Sequence, residues 1–70
     1  MERQNVESSL ATSVGFEAST STLEIEFKSN GAVWQYYDVP ESVFNELING
    51  SLGKYFHAHI RGQYSESQVG

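Results

Sequence analysis

The chain has 70 residues, enough for one small core and one domain, and its 39% hydrophobic content with 13% aromatics is too apolar for a disordered segment. The absence of cysteine excludes a disulfide scaffold and a thiolate zinc site, and no apolar run approaches the roughly 20 residues that cross a bilayer. Nine acids against four Lys and Arg give a formal charge of -5, the wrong sign for a protein whose affinity comes mainly from neutralising phosphates. The start Met1-Glu2-Arg3-Gln4-Asn5 is unlike a signal peptide, so a soluble, cytoplasmic protein is expected.

In chain order, residues 1–7 are polar and aperiodic and read as a flexible tail, as do 65–70, which leaves a single folded unit over 8–64. Leu10 to Phe16 reads as a weak strand, with Val14 and Phe16 apolar two apart. After the turn-like Glu17-Ala18-Ser19-Thr20-Ser21, the segment Leu23-Glu24-Ile25-Glu26-Phe27-Lys28 alternates without error. It predicts a half-buried strand with Leu23, Ile25 and Phe27 inward. Asn30-Gly31 then predicts a two-residue type I′ turn, because both central positions of that turn need positive φ. Such a turn pairs Phe27 with Trp34 and Ile25 with Tyr36, sending both rings to the buried face and leaving Gln35 and Tyr37 outside, near Glu26 and Glu24.

Asp38-Val39-Pro40-Glu41 has the form of a capping box, so a helix starts there. Val43, Phe44, Leu47 and Ile48 supply its apolar stripe, and Asn49-Gly50 stops it. Ser51 caps a second helix that ends near Gly62, with Leu52, Tyr55, Phe56, His59 and Ile60 on one side. The expected fold is α+β: a three-stranded antiparallel meander packed on one face by two C-terminal helices, in the order β-β-β-α-α. The charge is polarised, since no Asp or Glu lies between Leu47 and Ser65, where Lys54, His57, His59 and Arg61 all fall.

Several ordered motifs resemble the small bacterial KTSC domain, which also occurs at the C-terminus of some lysyl-tRNA synthetases. They are Val14-Gly15-Phe16, Leu23-Glu24-Ile25-Glu26-Phe27, Trp34-Gln35-Tyr36 leading to Val39-Pro40, Ser51-Leu52-Gly53-Lys54-Tyr55-Phe56, Ile60-Arg61 and Tyr64. Together they span about residues 8–64. Trp34 stands where the family has the first tyrosine of a central Tyr-x-Tyr pair, so any role of that hydroxyl is lost here or passes to an indole N–H. The resemblance implies no established biochemical function; RNA binding has been suggested from the fusion to a synthetase.

Among candidate sites, Ser51, Gly53 and Lys54 at a helix start, with His57 and Arg61, form the best anion or nucleic-acid site, because free N–H groups, a close-approach glycine and positive charge suit phosphate. The competing reading is a capped helix start with a solvated lysine. His57 and His59, two apart on a helix, point too far apart to share a metal ion, and no metal or cofactor is expected. His59 is expected at the helix–sheet seam. Trp34 and Tyr36 are read as core rather than as a base-stacking platform, and Glu24 and Glu26 as a solvated face rather than a carboxylate active site, so no catalytic residue is assigned and no enzyme is expected. Two functions follow. The first is a small non-catalytic module binding a protein partner or its own copy through the open edges of the first and third strands. The alternative is an accessory RNA- or phosphate-binding domain using the basic second helix.

Overall fold

A computed structural model describes all residues, Met1–Gly70. The elements are β1 (Gln4–Asn5), β2 (Ala11–Glu17), β3 (Thr22–Phe27), β4 (Val33–Tyr36), α1 (Glu41–Asn49), a second helix made of α2 (Leu52–Tyr55) and a π-helical turn (Phe56–Ile60), and β5 (Glu66–Gln68). The α+β class and the two helices follow the sequence. The strand number does not: the sheet has five strands in the order β1-β2-β3-β4-β5, each pair antiparallel.

The two added strands come from the ends read as tails. Their polar sequences carry no strand pattern because both lie on edges and every residue of β1 and β5 is exposed. β5 continues as backbone hydrogen bonds from Tyr37 N–H to the Ser65 carbonyl (2.9 Å) and from Val69 N–H to the Val33 carbonyl (2.8 Å). Consequently β5 covers the edge of β4, the third strand of the expected meander, and β1 covers the edge of β2, the first, at Ser13 and Val14.

Within the sheet the weak pattern of β2 has a local cause. A bulge between Ala11 and Ser13 shifts the register, so Ala11 and Val14, three apart and of opposite parity in a regular strand, are both fully buried. The β3–β4 loop is also longer than expected. Ile25 pairs with Trp34 and Leu23 with Tyr36, and Phe27 N–H bonds to the Ala32 carbonyl (2.8 Å), which leaves the four residues 28–31 in the loop. Only Gly31 of the Asn30-Gly31 pair has positive φ (71°), whereas a type I′ turn requires it at both positions. The Asn30 side chain instead accepts a hydrogen bond from Ala32 N–H (3.0 Å), closing a wider turn. Because this register differs from the expected one by two residues, every side chain keeps its face.

The helices cover one face of the sheet, and the core between them contains Ala11, Val14, Leu23, Ile25, Tyr36, Val39, Leu47, Leu52, Phe56 and Ile60. Phe56 is its aromatic hub: its ring meets Phe27 edge-on at 5.5 Å and Tyr36 at 5.7 Å. Each such buried ring contributes about 2–3 kcal/mol of transfer free energy. Phe16 stacks on Phe44 at 5.3 Å and joins β2 to α1.

Helix starts depart from the expected chemistry. Asp38 makes no cap; it sits at φ 58°, reversing the chain into Val39-Pro40, and α1 begins after Pro40 with no side-chain capping bond. Ser51 likewise precedes α2 without a side-chain cap. The π turn, closed by Arg61 N–H to the Phe56 carbonyl (2.9 Å), widens the second helix after Tyr55. Leu52, Phe56 and Ile60 stay buried, but His59, expected at the seam, is exposed and rests against the Tyr55 ring at 4.6 Å.

Candidate functional site

Two polar constellations ride on the central strands, one on each face. On the open face Glu24 is only 7% exposed, which corrects its expected solvation. Arg3, carried in by the N-terminal segment, forms an ion pair with one Glu24 carboxylate oxygen, and Gln35 Nε2 donates to the other at 2.8 Å. Arg3 Nε donates to Ser13 Oγ (3.0 Å), Ser13 Oγ donates to Glu26 (2.8 Å), and the Tyr37 hydroxyl donates to Gln35 Oε1 (3.1 Å). Burial opposes ionisation of Glu24, yet the hydrogen bonds from Gln35 and Arg3 and the Arg3 charge outweigh it, and its carboxyl lies below the ordinary range. Gly15 makes room for this strap, since a Cβ there would stand 2.4 Å from the Glu2 carbonyl oxygen. The polar groups of this network thus satisfy one another.

The helix-covered face behaves differently at its β4 end. A cleft of about 440 Å³ opens between the β3–β4 hairpin, the second helix and β5, lined by Leu10, Phe27, Trp34, Tyr36 and Phe56 with Ser29, Asn30, His57, Arg61 and Glu66 around them. Trp34 is half-buried here on the helix side, as the parity of the strand requires, and Tyr36 is 2% exposed. The cleft thus joins an aromatic floor to polar and charged rims. Burial pushes the Tyr36 phenol up to about 12, with the Glu66 charge adding to the shift and Arg61 opposing it.

The residues expected as one anion site are divided. Ser51, Gly53, Lys54 and His57 line a separate groove of about 420 Å³ against residues 7–10, in which Glu7 contributes negative charge. Arg61 belongs instead to the aromatic cleft. His57 and Leu10 line both, so the grooves meet there. Lys54 lies in α2, His57 in the π turn and Arg61 at its C-terminal end, and all three are exposed. Glu66 and Asn30 were not singled out by the sequence: Glu66 belonged to a presumed tail, and Asn30 to a presumed tight turn. No group of three or more His, Cys, Asp or Glu is placed to hold a metal ion, and no helix is long and apolar enough to cross a membrane.

The family model of the KTSC domain matches residues 7–64. This chain belongs to the KTSC domain family. It is 41% identical over 64 residues to a lysine–tRNA ligase of Nostoc sp., a match covering 90% of the chain but 11% of the ligase. An uncharacterised protein of Stutzerimonas stutzeri is 35% identical over 65 residues, with 91% of this chain and 90% of that protein covered. The crystal structure of a KTSC domain protein from Yersinia pestis superposes with a TM-score of 0.93 at 33% identity, covering 99% of this chain and 97% of that one. The KTSC domain therefore occurs both as most of a small protein and as a small part of a tRNA ligase. The ligases are about nine times longer than the matched region, whose role within them the match does not specify.

Proposed function

We propose that this KTSC domain is a non-catalytic accessory module that binds single-stranded RNA across the second helix, with one base entering the aromatic cleft. The observation that carries this reading is the cleft itself: the chain's single tryptophan stands half-buried beside Tyr36 and Phe56, His57 and Arg61 stand on the rim, and Lys54 lines the adjoining groove that meets the cleft at His57. Bases stack on such rings at about 1–3 kcal/mol each, and the cations supply a phosphate track. The kinship with lysine–tRNA ligases supports the same ligand class. Strand addition by a protein partner or a second copy has less to work with, because β5 occupies the edge of β4, β1 interrupts that of β2 at Ser13 and Val14, and these outermost strands are three and two residues long.

The acidic balance of -5 sets the affinity low, so binding is expected to be weak and strongly salt-dependent. Trp34 reports on it directly. In fluorescence titrations with short single-stranded RNA, the emission of Trp34 is quenched, and the Lys54→Ala/Arg61→Ala double variant lowers the slope of log K against log salt by about 1.4, two phosphates at about 0.7 each. Salt-independent quenching, or a double variant that binds like the parent, rules the reading out.

A further inference from the structure

Tyr36 is almost wholly buried, yet its hydroxyl takes part in none of the side-chain hydrogen bonds of the molecule, while every fully buried polar side-chain atom has a partner. The hydroxyl is therefore the part of the residue that reaches the cleft, and it reaches it unpaired. No group of the chain occupies this hydroxyl, so it is available to a ligand that enters the cleft. At neutral pH it is protonated and can donate.

Glu66 stands directly opposite Tyr36 in the β4–β5 pairing. Residues opposite one another in an antiparallel pair point to the same face with Cβ atoms about 4.5–5.5 Å apart, which sets the carboxylate beside the phenol on the cleft side. Glu66 forms no ion pair; the chain's one salt bridge is Arg3–Glu24 on the other face. A donor and an acceptor thus lie side by side against an aromatic wall, with Arg61 on the same rim.

Resting on the RNA reading above, we propose that the cleft selects guanine. Guanine alone among the four bases offers a carbonyl oxygen followed by two N–H donors along its Watson–Crick edge. The Glu66 carboxylate accepts from N1–H and the N2 amino group, the Tyr36 hydroxyl donates to O6, and the ring lies against Trp34. Adenine and cytosine present a lone-pair ring nitrogen beside a single amino group, and that nitrogen repels the carboxylate. Uracil has a single N–H to give.

The test is a Trp34 fluorescence titration of the full chain with the RNA pentamers UUGUU, UUAUU, UUCUU and UUUUU. UUGUU is expected to bind about tenfold more tightly than the other three. Tyr36→Phe lowers UUGUU binding toward the level of the others without changing the thermal midpoint, and Glu66→Ala closes the gap between the pentamers while binding persists. Equal affinities for all four overturn the guanine assignment and leave the RNA reading standing, whereas no binding by any of them overturns both. A Tyr36→Phe chain that keeps its guanine preference, or melts markedly earlier, overturns the role given to the hydroxyl.

Discussion

Glu24 and Tyr36 make the sharpest contrast in the molecule. Both are acidic groups more than nine-tenths buried, on neighbouring strands, and burial alone favours the neutral form of each. Glu24 nonetheless ends below its ordinary range and Tyr36 well above it. The difference is partners: the carboxylate of Glu24 is met by Arg3 and Gln35, while the phenol of Tyr36 makes no hydrogen bond within the chain and feels only the opposed charges of Glu66 and Arg61. One face of the sheet has spent its polar groups on structure, and the other has kept one free.

The largest way to break this contrast is Gly15→Val. Its side chain would collide with the Glu2 carbonyl, lift the N-terminal strap, and remove both the β1 pairing and the Arg3 contacts, at an expected cost of about 3 kcal/mol in urea unfolding. Arg3→Ala removes only the partner and leaves Glu24 buried and half-satisfied, for about 2 kcal/mol. The pH dependence follows with a definite sign. The depressed pKa of Glu24 contributes stability that is present above the unfolded carboxylate value of about 4.5 and is lost as pH falls through its folded value. In Arg3→Ala that acid loss shrinks.

At the alkaline end the sign reverses. The folded chain holds the Tyr36 proton more tightly than the unfolded chain does, so stability is full below pH 10 and declines as pH rises from 10 toward about 12. An ultraviolet titration should show Tyr36 and Tyr55 ionising above the ordinary phenol range, and the step toward about 12 should be missing from Tyr36→Phe. The smallest expected effect is the most telling. Tyr36→Phe at neutral pH should change stability by less than about 0.5 kcal/mol, because the hydroxyl has no partner to lose. A loss as large as that of Arg3→Ala would erase the distinction between the two faces.

Much of the core was legible because it depends on local periodicity. The alternation Leu23, Ile25, Phe27 and the stripe Val43, Phe44, Leu47, Ile48 lie where expected, and the inward turn of Trp34 and Tyr36 survived an incorrect loop length because an even shift preserves parity. The candidate site was legible only in pieces. Lys54, His57 and Arg61 stood out as the basic stretch of an acidic chain, but Arg61 separates from the Ser51–Lys54 groove and joins rings from two strands. The π turn that holds His59 has no signature in Phe56-His57-Ala58-His59-Ile60, whose apolar Phe56 and Ile60 fit an ordinary α-helix equally well.

From its residue order alone this chain specified the α+β class, three strands, two helices and the side of the sheet on which each large apolar residue lies, because those features follow from periods of two and 3.6 that neighbouring residues enforce. What the tertiary structure decided is everything that couples distant residues. It set the two edge strands, whose polar sequences pair through backbone groups that carry no side-chain signal, and the Arg3–Glu24 pair across 21 positions. It also placed Glu66 beside Tyr36, thirty positions away, where the last strand returns to the sheet and completes the cleft.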